Sequence, residues 1–257
     1  MSDLLHALLL LVCLGALFGA ANLWRRRGRA PAEWTRKLIH VAGAVTGCAL
    51  PYLLGSPWSA AALGLVVAVL LRVGRRGRVL PALHGVERLT DGDLCLVAAV
   101  VLLFPFGRSE PSAHLGALLV MGLGDAAAAL VGTALRPAGR RTAAGSVTMF
   151  VVSFVVLWVV FLAAGAGWAE ALIWALLGGV CATSVEAVAP GGSDNLLVPL
   201  AVFAVLTAPM GTAVVFTTAL SGLAAVIRRP RLPFHAAWCL AVILAAREAG
   251  RRAAPTR

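Results

Sequence analysis

Apolar stretches of about 20 residues recur from one end of the 257-residue chain to the other. Each can cross the roughly 30 Å hydrocarbon layer of a bilayer as a helix, because an α-helix rises about 1.5 Å per residue. Only 13% of the residues are charged and 60% are hydrophobic, which excludes a soluble enzyme, a disordered protein and a fibrous repeat. The sequence therefore predicts an all-α, polytopic integral membrane bundle, with residues 1–257 forming a single membrane domain.

We expect about nine transmembrane helices, within a range of roughly eight to ten. The predicted spans are 3–24, 38–54, 57–73, 94–107, 112–135, 145–164, 168–187, 196–208 and 210–227. Residues 1–30 are interpreted as an N-terminal anchor helix with a basic flank, because the arginines follow the apolar stretch instead of preceding it. Pro209 and Gly211 predict a tight hairpin between the last two short spans. Residues 228–257 are interpreted as a basic C-terminal surface segment, with a short surface or re-entrant helix near 234–246.

The basic residues are distributed unevenly along this pattern. The chain has 22 Lys and Arg against 11 Asp and Glu. If the N-terminus is outside the cell, 17 of the 22 basic residues fall at one face of the bundle, which the positive-inside rule places in the cytoplasm. We therefore expect a protein of the cell (cytoplasmic) membrane with short cytoplasmic loops. The basic excess then calls for no nucleic-acid partner.

A first polar cluster marks the cytoplasmic entrance of the second span. Glu33, Arg36, Lys37 and His40 can share one helix face, because residues three and four apart are neighbours. Topology alone accounts for a basic membrane flank with a histidine near the helix end. The alternative is a phosphate site, which the one lysine of the chain favours, since Lys is a compact cation often used to bind phosphate.

A second cluster surrounds Asp125 inside the fifth span. A carboxylate within a membrane helix costs about 2.5 to 3.5 kcal/mol, so Asp125 needs a partner or a function. Gly122, Gly124 and Gly132 allow the close approach of a neighbouring helix or of a ligand. Helix packing by these glycines and an interhelical hydrogen bond by Asp125 are the alternatives to a reactive site.

Two cytoplasmic loops carry the other candidate residues. The first loop leads into the sixth span, and its backbone, hydroxyls and guanidinium groups are donors suited to phosphate. Its candidate phosphate-binding residues are Gly139, Arg140, Arg141, Thr142, Gly145 and Ser146. The second loop follows the seventh span, where Glu186, Asp194 and Asn195 offer hard oxygen ligands of the type that bind Mg²⁺. A topological basic loop and an ordinary loop with a helix cap are the respective alternatives.

These motifs, in this order, resemble the dolichol kinase and phytol kinase family of CTP-dependent polyprenol kinases, which is similar to CTP-using diacylglycerol kinases and to phosphatidate cytidylyltransferases. The resemblance covers residues 33–200, a kinase-like core. The matching residues are Arg36 to His40, Gly124-Asp125, Ala128 to Gly132, Thr142, Gly145-Ser146, Glu186-Ala187, Asp194-Asn195 and Pro199.

The resemblance implies transfer of the γ-phosphate of a nucleoside triphosphate, with CTP as co-substrate and Mg²⁺ as cofactor, to a lipid alcohol in the bilayer. Arg36, Lys37 and the residues of the first loop would bind phosphate. Asp125, Glu186, Asp194 and Asn195 would hold the metal ion. Asp125, His40 and Lys37 would form the catalytic group, in which either Asp125 or His40 orients or deprotonates the hydroxyl.

Three departures from the family pattern leave open a divergent or inactive member of the family. Where the family has Lys-Thr-x-Glu-Gly-Ser, this chain has Arg141 in place of the lysine and Ala144 in place of the acidic residue. Gly92-Asp93 stands where a Gly-Glu pair is expected. The alternatives are a cytidylyltransferase that forms a CDP-lipid and a catalytically inactive lipid-binding or transport homologue.

Overall fold

The computed structural model describes residues 3–28, 31–76, 91–135 and 142–227. Every regular element within these ranges is helical, which confirms the predicted all-α class. The predicted C-terminal surface segment lies outside the described residues. So do three predicted phosphate-binding residues, which are Gly139, Arg140 and Arg141.

The described residues form nine helices. Their bounds are α1 Asp3–Arg26, α2 Ala32–Leu53, α3 Pro57–Arg76, α4 Gly92–Leu103, α5 Pro111–Leu135, α6 Ala143–Ala163, α7 Trp168–Val188, α8 Asp194–Thr207 and α9 Met210–Ile227. By length and composition, α1, α3, α5, α6 and α7 can each cross a membrane, whereas α4, α8 and α9 are shorter apolar helices. The prediction that about nine helices cross stays a prediction.

Two helix boundaries show how local sequence sets the fold. Helix α2 begins at Ala32, six residues before the predicted apolar span, because Glu33 and Arg36 pair along the first turn and continue the helix into the loop. Helices α8 and α9 are separated by Ala208 and Pro209, as the predicted hairpin requires.

The helix ends gather at two ends of the bundle. At one end, Asp3 of α1 accepts hydrogen bonds from the backbone N–H groups of Gly55 and Ser56, and Arg108 donates to the carbonyl oxygen of Pro51 in α2. The rings of Phe106 and Phe203 also meet there, with centroids 5.2 Å apart. The starts of α1, α3 and α5 and the ends of α2, α4 and α8 therefore lie together.

The other end carries most of the described basic side chains, and we call it the basic end. Arg72 of α3 pairs with Asp91 just before α4, and Asn195 of α8 bonds to Gly92 of α4. Arg36 of α2 interacts electrostatically with Asp194 of α8. The ends of α1 and α3 and the starts of α2, α4 and α8 meet here.

Helix α7 forms the centre of the bundle. It packs against α6, α8 and α9, and most of its surface is buried. Small residues make this possible, since Gly179 lies against the ring of Phe150. Helix α1 is at the periphery, where Ala21 is its one buried residue among those described.

Candidate active site

The site is built on an ion pair between two helices. The Nζ of Lys37 in α2 donates to Oδ2 of Asp125 in α5, and the two side chains are only 4% and 13% exposed. Neither charge would be tolerated alone in an apolar bundle, because an unpaired buried charge is far more costly than a paired one. Asp125 therefore has the partner that its position demanded, and the partner is the chain's one lysine.

His40 lies one helical turn after Lys37 and completes the group. Its Nε2 is 3.3 Å from Oδ2 of Asp125 and 3.4 Å from the carbonyl oxygen of Met121. The same carboxylate oxygen thus faces both an ammonium group and an imidazole. We call Lys37, His40 and Asp125 the Asp125 cluster.

A π-helical turn presents Asp125 to this cluster. Residues Val120–Gly124 form the turn, and the α-helical geometry resumes at Asp125. Such turns insert an extra residue into an α-helix and occur frequently at functional sites. Here the turn also brings the carbonyl of Met121 into contact with His40.

Glycines in the same turn let the neighbouring helices approach. A Cβ added to Gly122 would lie 2.6 Å from the Cβ of Ala44 in α2. A Cβ added to Gly124 would lie 2.9 Å from Sδ of Met149 in α6. Both distances are too short for a side chain, so helix packing explains these two glycines.

Arg36 lies at the edge of the cluster. Its Nε and Nη2 donate to the two carboxylate oxygens of Glu33, at 3.1 and 2.5 Å. The guanidinium also interacts electrostatically with Asp125 and Asp194, and its side chain is 30% exposed. The predicted grouping of residues 33–40 is therefore divided, with Lys37 and His40 buried on Asp125 and Arg36 paired with Glu33 at a partly exposed position.

The predicted metal ligands are spread over three helices, and the first of them, Asp125, lies in α5. Glu186 is half-buried near the end of α7, Asp194 is half-buried at the start of α8, and Asn195 is buried next to it. Within the described ranges, no three His, Cys, Asp or Glu side chains are close enough to hold a metal ion by themselves. The side-chain amide of Asn195 donates to the carbonyl oxygen of Gly92 at 2.7 Å.

The described part of the predicted phosphate loop lies at the start of α6. Thr142 is the N-cap of this helix, and its Oγ1 accepts a hydrogen bond from the N–H of Gly145 at 3.0 Å. A Cβ on Gly145 would lie 3.1 Å from the carbonyl oxygen of Ala128, one turn beyond Asp125. Ser146 is buried in the same turn. Thr142, Gly145 and Ser146 are thus close to the Asp125 cluster along α5.

Sequence reasoning did not identify two contacts of this site. The carbonyl of Met121 contacts His40 only because of the π-helical turn, which no local pattern predicted. Gly92 was noted only as half of a Gly-Asp pair, although its carbonyl is the partner of Asn195. Because Gly92 has no side chain, another residue can approach its backbone closely, and this was the signal that could have indicated the contact.

The fold and the site define a helical membrane protein that buries a Lys-Asp-His cluster at the basic end of its bundle. The chain is 34% identical over 197 residues to a phytol kinase from Synechocystis sp., and the match covers 73% of this chain and 84% of that protein. The chain therefore belongs to the phytol kinase and dolichol kinase family. No protein-family model matches it. No solved structure matches it either.

Proposed function

We propose that the protein is a lipid-alcohol kinase that transfers the γ-phosphate of a nucleoside triphosphate, CTP, to the hydroxyl of a phytol-like or polyprenyl lipid. The observation that carries the proposal is the buried Asp125 cluster at the basic end, in a chain that is similar to a phytol kinase. A carboxylate that faces an ammonium group and an imidazole can accept a proton while a neighbouring cation binds phosphate.

Each residue of the cluster has a distinct part in the proposed reaction. Phosphoryl transfer depends mainly on alignment and on neutralising the charge of the phosphates. Lys37 and Arg36 supply positive charge at the basic end, and Thr142, Gly145 and Ser146 line the adjacent helix start. Asp125 takes the proton of the lipid hydroxyl as the hydroxyl oxygen bonds to the γ-phosphorus and CDP leaves. His40, whose Nε2 is 3.3 Å from Oδ2 of Asp125, orients that hydroxyl.

The donor set at the basic end fits a Mg²⁺ ion that arrives on the triphosphate. Such an ion keeps phosphate and water ligands and needs only one or two carboxylates from the protein. Asp194, which interacts with Arg36, and Glu186 at the end of α7 are the residues that would hold it. The ion would neutralise charge on the phosphates during transfer.

We further propose that the basic end faces the cytoplasm, with the N-terminus outside and about nine helices crossing the membrane. The support is the alternation of helix ends between the two ends of the bundle. Arg25, Arg36, Lys37 and Arg72 lie at the basic end, whereas Arg108 lies at the other. CTP would then reach the site from the cytoplasm, and the lipid would enter laterally between helices.

The proposal is tested with purified protein in detergent, Mg²⁺, γ-labelled CTP or ATP, and a panel of phytol, farnesol, undecaprenol and diacylglycerol. We expect label in the lipid, and more from CTP than from ATP. Asp125→Asn should lower the rate by about 10²- to 10⁴-fold, the usual contribution of a positioned base. Glu170→Gln is the matched control, because Glu170 is an exposed carboxylate at the start of α7, at the other end of that helix from Glu186.

The same assay separates the alternatives. With a phosphorylated lipid such as phosphatidate added as acceptor, a cytidylyltransferase would transfer CMP to it, release the label as pyrophosphate and leave the lipid unlabelled. A lipid-binding homologue would transfer no label, and calorimetry would detect no binding of Mg²⁺ and CTP. Full activity of the Asp125→Asn variant would contradict the assigned role of Asp125.

A further inference from the structure

The start of α8 is attached to the start of α4 by one buried hydrogen bond. The Nδ2 of Asn195 donates to the carbonyl oxygen of Gly92 at 2.7 Å, and Asn195 is only 5% exposed. The two residues are 103 positions apart in the chain. A buried amide is costly to leave without a partner, so this bond fixes where the two helix starts meet.

The close approach depends on the absence of a side chain at Gly92. A Cβ added there would lie 2.6 Å from Nδ2 of Asn195 and 3.5 Å from the Cα and the carbonyl oxygen of Gly192. Gly192 itself has a φ of 92°, a left-handed conformation that favours glycine, in the turn that precedes α8. The turn and the amide of Asn195 together occupy the space that a residue larger than glycine would need.

The neighbouring residue, Asp194, is half-buried at the start of α8, and its Oδ1 accepts a hydrogen bond from the backbone N–H of Asn195 at 3.1 Å. Asp194 interacts electrostatically with Arg36, which in turn interacts with Asp125. Successive residues of a helix point about 100° apart, so Asp194 and Asn195 are directed at different neighbours. Asn195 is directed at α4, and its bond sets the rotation of the helix that presents Asp194.

We propose that Asn195 is a positioning residue and not a metal ligand: its amide, bonded to Gly92, fixes the start of α8 and so the position of Asp194. The inference rests on the proposed lipid kinase function. Gly92 and Asn195 would then fix the geometry of the site without contacting substrate. A misplacement of reacting groups by about 1 Å can lower a rate on the order of 100-fold.

The variant Asn195→Asp separates the two roles, because it keeps an oxygen ligand and removes the N–H donor. If Asn195 only positions, Asn195→Asp should lose activity on the order of 100-fold, as much as Asn195→Ala, at every Mg²⁺ concentration. If Asn195 is a ligand, Asn195→Asp should retain turnover and the Mg²⁺ concentration for half-maximal rate. Near-normal turnover of Asn195→Asp would overturn the proposal.

Gly92→Ala provides the second test, since the added methyl group would displace the amide of Asn195. Alone, it should lower turnover on the order of 100-fold and leave the KM for the lipid unchanged. Combined with Asn195→Ala, which removes the clashing group, it should add less than about twofold to the effect of Asn195→Ala alone. Additive losses, or normal turnover of Gly92→Ala, would contradict the coupling.

A measurement that does not use activity keeps this inference separate from the proposed function. Thermal unfolding in detergent of the wild type, both single variants and the double variant should show the same non-additive pattern. If the wild type transfers no label but the coupling is present, the kinase proposal fails and the link between α4 and α8 stands. If label is transferred but the coupling is absent, only the positioning role fails.

Discussion

Two buried histidines join α2 and α5 in different ways. His40 of α2 faces the carboxylate of Asp125 and the carbonyl of Met121. His114 of α5 faces two carbonyl oxygens, that of Leu103 at 3.1 Å from Nδ1 and that of Gly47 at 3.3 Å from Nε2. Their attachment points on α2 are seven residues, or roughly 10 Å, apart.

The difference concerns the kind of partner. At the end opposite the basic end, polar side chains bond to backbone carbonyls, as His114, Tyr52 and Arg108 do. Such bonds hold helices together and leave no reactive group. At the basic end, ionisable side chains bond to one another in the Asp125 cluster. We therefore expect substitution of His114 to affect the fold and substitution of His40 to affect the proposed chemistry.

The largest expected effect is that of Lys37→Met. It leaves Asp125 buried without its cation, which should cost about 3 to 5 kcal/mol of stability and lower turnover on the order of 1,000-fold. Thermal unfolding in detergent and the labelled-phosphate assay measure the two effects. The double variant Lys37→Met with Asp125→Leu should recover stability and remain inactive. Recovery of activity as well would show that the ion pair is purely structural.

The two histidines give the next largest contrast. His40→Gln should lower turnover about 100-fold with little change in melting temperature. His114→Gln should lower stability by about 1 to 3 kcal/mol, because the carbonyl that accepts the ring N–H loses its buried donor, while turnover per folded molecule stays normal. Both variants are compared by unfolding and by rate at equal folded concentration. A loss of stability in His40→Gln together with a loss of turnover in His114→Gln would contradict the roles expected of the two histidines.

A smaller effect is expected from packing at the π-helical turn. Gly122→Ala places a methyl group against Ala44 and should cost about 1 to 3 kcal/mol by forcing α2 away from α5. Ala44→Gly should restore most of the loss when it is combined with Gly122→Ala. Unfolding of the three variants checks this. If Ala44→Gly restores nothing, the contact between the two helices is not what makes Gly122 necessary.

The smallest effect separates two arginines. Arg36→Gln should raise the KM for the nucleotide about tenfold, the value of one charge-assisted hydrogen bond, with a smaller change in kcat. Arg108→Gln should leave the nucleotide KM unchanged, because Arg108 bonds to Pro51 at the opposite end. Initial rates over a range of CTP concentrations distinguish the two. Equal effects of both substitutions would indicate loss of folded protein instead.

Local sequence was sufficient to single out Asp125, because it interrupts an apolar segment, and Lys37, because it is the one lysine of the chain. The helical spacing that placed His40 near Lys37 is present in α2. The pairing of Lys37 with Asp125 depends on how α2 packs against α5, which spacing within one helix does not contain. The bond from Asn195 to Gly92 could not be predicted because an amide offers both an oxygen and an N–H group, and the acceptor for the N–H comes from the packing of α8 against α4.

The π-helical turn at Val120–Gly124 also offsets the rotational phase of one half of α5 from that of the other. In an uninterrupted α-helix, the eleven residues between His114 and Asp125 would fix their relative azimuth to within about 20° of alignment. One extra residue offsets that azimuth by about 100°. The half that carries His114 therefore packs with one face toward its neighbours, while the half that carries Asp125 directs a different face toward Lys37. Restoring regular α-helical geometry at Val120–Gly124 with all residues kept would therefore turn Asp125 by about 100° away from Lys37, whereas deleting one residue there would leave its azimuth unchanged.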